Sequence, residues 1–84
     1  MQPHEMINEI RTKEDLLKFL SALRKDLVIN KENWENPTLE SYLEAMEAWV
    51  EGMESYYVNT NQSIPEQPTW RVLADILYAS KIYE

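Results

Sequence analysis

Between Leu39 and Tyr57 the apolar side chains Leu39, Tyr42, Leu43, Met46, Trp49, Val50, Met53 and Tyr57 recur at the period of an α-helix, and nothing polar breaks the stripe. A half-buried strand would alternate every two residues, so this stretch reads as a helix. Asn36 followed by Pro37 supplies a start signal. The asparagine can cap, and a proline at the first helical position has no amide hydrogen to leave unpaired. The expected helix covers 37–57.

Two further helices follow from the same logic. Thr12 can accept a hydrogen bond from the amide of Asp15, and Glu14 and Asp15 suit the positive end of the helix dipole. Leu16, Phe19, Leu20, Leu23 and Leu27 then recur at helical spacing, and Asn30 ends the run, which predicts a helix over 12–29. Residues 58–68, VNTNQSIPEQP, read as a loop. A last helix over 69–83 carries Trp70, Leu73, Ile76, Leu77, Tyr78, Ile82 and Tyr83 on more than one stripe, so it is either buried within the domain or shared with a second subunit. Trp34 is expected to plug the core from the loop before the middle helix. The fold class is all-α: a compact three-helix domain over 12–84, preceded by a loosely ordered arm, 1–11, whose Ile7 and Ile10 can pack against the body.

The charge pattern narrows the function. Fifteen acids oppose eight bases, a net charge of -7. Six of those bases lie between Arg11 and Lys31, and residues 32–70 contain no Lys or Arg. Such a surface repels nucleic acid and anionic membranes and attracts basic partners; it also keeps a small protein soluble. There is no cysteine, which removes disulfides, thiolate metal sites and a thiol nucleophile. No apolar run resembles a signal peptide or approaches the ~20 residues of a membrane span, so a cytoplasmic location is expected.

Glu40, Glu44, Glu47, Glu51 and Glu54 form a carboxylate ladder on one edge of the middle helix, within an arc of roughly 80°. Four successive like-charge contacts cost about 1–2 kcal/mol in total. Full burial of the eight apolar side chains beside them would contribute roughly 12–24 kcal/mol gross, so the ladder needs no function to persist. Lys18, Arg24 and Lys25 of the first helix are candidate neighbours that offset it.

Several chemistries lack their parts. A bundle di-iron site needs acids from several helices and Glu-x-x-His pairs, but the sole histidine is His4. Magnesium or calcium would need oxygen ligands from more than one element, so neither a metal nor a cofactor is expected. The serines have no histidine base besides His4. Gly52 is the sole glycine, so no phosphate-binding loop exists; inside a helix it is either tolerated or marks close approach by another helix or a partner. The aromatic residues are better core than nucleobase platforms in so acidic a chain, and Tyr56 leaves the main stripe. Asp75, between Ala74 and Ile76, reads as an exposed acid, a helix–helix hydrogen bond, or a pairing site for a partner's arginine.

Glu44-x-x-Glu47 and Glu51-x-x-Glu54 resemble part of the all-α nucleoside triphosphate pyrophosphohydrolases, whose helical carboxylates bind magnesium. That family's second motif, Glu-x-x-Asp, is absent here, because Val72 stands three positions before Asp75. A broader resemblance covers most of 13–84. Trp34, Asn36, Leu43, Glu44, Ala45, Met46, Trp49, Trp70, Ala74, Asp75, Leu77, Tyr78, Ala79, Tyr83 and Glu84 are similar to a family of small bacterial proteins without an assigned activity. It implies a single bacterial domain and brings no chemistry. The expected function is a non-catalytic interaction module for a protein with a basic surface, with Glu40, Glu44, Glu47, Glu51, Glu54 and Asp75 as partner-binding residues. An immunity-like protein covering a cationic toxin would be one form. The alternatives are a metal-dependent nucleotide hydrolase and a structural homodimer.

Overall fold

The computed structural model describes residues 2–83; Met1 of the expected arm and Glu84, one of the residues that carry the broader resemblance, lie outside them. Helices α1 (Pro3–Met6), α2 (Lys13–Ile29), α3 (Leu39–Asn59) and α4 (Trp70–Ile82) follow in order, with single 3-10 turns at Ile7–Glu9 and Lys31–Asn33 and no strand among the described residues.

The N-terminal segment is ordered rather than loose. Pro3 and Ile10 are buried, and Ile10 joins Leu16, Phe19, Leu23, Trp34 and Ala74 in the main core. Backbone hydrogen bonding tightens the segment into helical turns, and Ile10 is held where the predicted packing needed it. The described residues therefore form four helices, three of them long.

Helix α2 starts as its local signals require. Thr12 Oγ1 accepts from the Asp15 amide at 3.1 Å, and Asp15 Oδ2 accepts from the Thr12 amide at 3.2 Å. Backbone hydrogen bonds, led by the one from the Arg11 amide, hold the Asp15 carboxyl below its ordinary value. Asn30 closes the helix, and Thr69 caps α4 through the Val72 amide at 3.0 Å.

Helix α3 begins two residues later than predicted. Thr38 is its cap, in a reciprocal pair with Ser41. Asn36 serves a different helix. Its side-chain amide donates to the carbonyls of Ser80 at 3.1 Å and Tyr83 at 2.7 Å, and its backbone amide donates to the Lys81 carbonyl at 3.1 Å. Those carbonyls lie at the end of α4, where intrahelical donors run out.

Helix α4 is the centre of the molecule. It lies between α2 and α3, which scarcely touch each other, and it also meets the 3-10 turn at Ile7–Glu9. This central place buries Val72, Ala74, Asp75, Ala79, Ser80 and Lys81, whereas of the apolar residues that gave α4 its two-sided pattern Ile76, Leu77 and Tyr78 are half-buried and Trp70, Leu73, Ile82 and Tyr83 are exposed. It also corrects the burial expected of α3, which has one helical neighbour. Trp49 and Tyr57 are buried and Tyr42, Met46 and Met53 half-buried, whereas Leu39, Leu43 and Val50 are exposed. Trp34 plugs the core as expected and stacks on Tyr42, their ring centres 6.0 Å apart. Tyr42 donates to the Leu77 carbonyl at 2.6 Å, and burial pushes its phenol up to about 12.

Candidate functional site

The ladder residues point into solvent. Glu40, Glu44, Glu47, Glu51 and Glu54 are all exposed, on the side of α3 roughly opposite Trp49. The cations proposed to offset them do not, because α2 does not pack on α3. Among the described residues the ion pair within 4.0 Å is Lys81–Asp26, which involves none of the five. Nor do they converge with other acids: no group of three or more His, Cys, Asp or Glu stands within metal-holding reach among the described residues.

Asp75 is placed quite differently. Its carboxylate is buried, and Tyr57 Oη donates to its Oδ2 at 2.7 Å. Of the three readings of Asp75, the exposed acid is thus overturned and the helix–helix hydrogen bond is present. Asp75 also lines a cleft of about 560 Å³ together with Ile7, Trp49, Tyr56, Tyr78, Ala79 and Ile82. Asp75, Tyr78, Ala79 and Ile82 are spaced three, four and seven residues apart, so they form one stripe of α4 and make the floor. Trp49 and Tyr56, seven apart on α3, make one wall, and Ile7 makes the other. Tyr56 and Ile82 are exposed and form the mouth, with Tyr83 beside them. The Trp49 and Tyr56 rings lie 5.5 Å apart, tilted by 56°.

The electrostatics of the cleft are one-sided. Burial pushes the Asp75 carboxyl above its ordinary value, against the hydrogen bond from Tyr57 and the more distant charge of Arg71. Tyr57, buried beside that carboxylate, is raised as well. Arg71 stands one turn before Asp75 on α4; its Nη2 donates to Gln62 Oε1 at 2.7 Å, while its Nε is buried without a hydrogen-bond partner among the described residues.

A second buried carboxylate escaped the sequence reading. Asp26 accepts from Lys81 Nζ at 2.6 Å, Trp34 Nε1 at 2.9 Å and Asn30 Nδ2 at 2.9 Å. Burial raises its carboxyl, but these donors outweigh that effect and leave it below its ordinary value. Lys81 Nζ also stands 5.4 Å from the ring centres of Trp34 and Tyr78. One signal was available: Asp26 falls three residues after Leu23 on the apolar stripe of α2, and Lys81 falls inside an apolar helix.

Gly52 marks no close approach within the chain, since a Cβ there would meet nothing within 4 Å. No helix of the described residues is long and apolar enough to cross a membrane.

No curated protein and no solved structure matches this chain. The sequence model of a family of unknown function, DUF7660, matches residues 12–84, all but the first eleven positions, and the chain belongs to that family.

Proposed function

We propose that this protein is a non-catalytic interaction module that docks a protein partner through the partner's basic surface. The observation that carries the reading is the unanswered negative charge of α3: five exposed glutamates, none ion-paired among the described residues, in a stretch of 32–70 without a Lys or Arg. The two remaining bases outside the N-terminal half, Arg71 and Lys81, are both engaged internally, with Gln62 and Asp26. Like charges at helical spacing destabilise the free helix slightly, and a cationic surface relieves that cost on binding. Electrostatic steering makes such association fast and sensitive to salt. An inhibitor that covers a cationic active site, as immunity proteins do, is one form this module can take. The nucleotide hydrolase reading has less support, because the glutamates diverge into solvent from a single helix.

The test is retention on the immobilised chain. Basic proteins from the native host should bind at about 50 mM salt and elute by about 500 mM, as screening shortens the reach of exposed charge. Converting Glu44, Glu47, Glu51 and Glu54 to Gln should abolish that retention. Unchanged retention by the glutamine variant would overturn the reading.

A further inference from the structure

Two carboxylates of this molecule are buried to nearly the same degree, Asp26 at 6% and Asp75 at 7% exposure. Their surroundings differ in one respect. Asp26 has a cation, Lys81, and two neutral donors. Asp75 has one neutral donor, the Tyr57 phenol, and no cation within ion-pairing distance among the described residues. A buried carboxylate without a cation is costly, and proteins seldom leave one so unless the site has a use. Arg71, one turn away on α4, is turned to Gln62 through Nη2 and forms no ion pair with Asp75.

The walls of the cleft supply the other half of a cation site. Trp49 and Tyr56 line it, and the negative faces of such rings attract a cation; the third ring of the lining, Tyr78, already has Lys81 Nζ over it. The chain already houses a cation in this manner, with Lys81 between the rings of Trp34 and Tyr78 and its charge on Asp26. The Asp75 cleft repeats that set of a carboxylate and aromatic rings, lacks the cation, and opens to solvent past Tyr56 and Ile82.

We propose that the cleft is a socket for an arginine side chain of the basic partner, its guanidinium set on Asp75 and its plane against Trp49 and Tyr56. Arginine is the fitting occupant for three reasons. Its guanidinium sheds water more readily than an ammonium, it stacks on aromatic faces, and its fork reaches a carboxylate in a defined geometry. The cleft's volume is within the range of sites that enclose a small ligand group. The proposal rests on the reading of the protein as a module for a basic partner. It adds where specificity lies: the ladder steers, and the Asp75 socket, on a different side of α3, selects.

The experiment uses the full chain and a Gly-Arg-Gly peptide with blocked ends, followed through the Trp49 indole N–H and the amides of residues 75–79 by NMR. Peptides with lysine or citrulline in place of arginine serve as comparisons. The arginine peptide should bind saturably and shift those signals. Lysine should bind more weakly, and citrulline, the uncharged isostere, about tenfold or more weakly. Asp75→Asn should weaken the arginine peptide about tenfold, since the asparagine keeps an acceptor for Tyr57 and removes only the charge. Tyr56→Ala, at an exposed position whose ring lies against Trp49 and Tyr57, should weaken it severalfold, with an unchanged circular dichroism spectrum showing that the fold is kept. Equal binding of citrulline, equal binding by Asp75→Asn, or no shift at Trp49 would each overturn the socket. The parent reading fails separately. If the Glu→Gln ladder variant loses retention of basic proteins while Asp75→Asn binds the peptide as before, the module stands and the socket falls. If the peptide binds through Asp75 but the ladder variant retains basic proteins unchanged, the socket stands without the steering edge.

Discussion

Asp26 and Asp75 give the molecule opposite responses to acid. The Asp26 carboxyl is held below its ordinary value of 3.8, so the unfolded chain takes up its proton first. Its stabilising contribution is complete above that value and is lost as pH falls through the lower folded one. The Asp75 carboxyl is raised above 3.8, so its contribution is complete below that value and is lost as pH rises through the folded one. At neutral pH, then, Asp75 weakens the fold while Asp26 supports it. Asp75→Asn should stabilise the unliganded protein at pH 7 by about 1 kcal/mol, a rise in melting temperature of roughly 4–8 °C. The gain should shrink toward zero in acid, as the wild-type carboxyl becomes protonated. Lys81→Met should do the reverse at neutral pH, costing about 3–5 kcal/mol, because it leaves the buried Asp26 charge with only Asn30 and Trp34. Denaturant unfolding of both variants across the acid range, each against wild type, checks the two signs. A stability loss in Asp75→Asn at pH 7 would show that the carboxylate is a structural asset.

At the scale of the helices, local signals were legible and distant ones were not. Thr12 caps α2 as the sequence implies, and Thr69 caps α4 by the same kind of bond, which spans three residues in each case. The stripes of Leu16, Phe19 and Leu23 on α2 and Trp49 and Tyr57 on α3 face the core for the same reason: helical period is a local property. Local pattern places Asn36 at the start of α3, because its actual partners, Ser80 and Tyr83, stand 44 and 47 residues away. Asp26 and Lys81 each stand out on an apolar stripe, but their pairing spans 55 residues and no local pattern carries it. Asp75 could be singled out from its apolar neighbours, but the cleft around it could not, since its walls come from three elements. Two substitutions follow from this. Asn36→Ala removes the two side-chain bonds that close α4 and should cost about 1–2 kcal/mol. Gly52→Ala, whose new Cβ meets open space, should gain close to 1 kcal/mol from helix propensity alone. Thermal unfolding followed by circular dichroism reads both, and a Gly52→Ala loss would point to a constraint on α3 that the fold does not reveal.

The molecule as a whole is thin, with extents of 33 × 27 × 18 Å. Its least dimension is under two helix diameters. Three long helices side by side in that space leave α4 as the shared wall and give α2 and α3 little direct hold on each other. The N-terminal turns compensate on one face: Ile10 enters the main core, Met6 and Ile7 lie against it, and Ile7 walls the Asp75 cleft. This segment stands before the range matched by the family, 12–84, yet it is part of the fold. Removal of residues 1–10 therefore takes away the burial of Ile10, worth roughly 1.5–3 kcal/mol, along with the smaller contributions of its neighbours. A domain of this size has a total stability on the order of 4–13 kcal/mol, so the shortened chain should still fold, with a lower melting temperature and a shallower cleft. Phe19, Leu23, Trp34 and Ala74 keep the core closed between α2 and α4. Arginine-peptide binding should weaken but keep its dependence on Asp75, because the carboxylate and the Trp49–Tyr56 wall remain. Circular dichroism melts and the same NMR titration decide the matter. An unaltered melting temperature would mean that Ile10 contributes nothing to the core, and unaltered peptide affinity would remove Ile7 from the cleft's working walls.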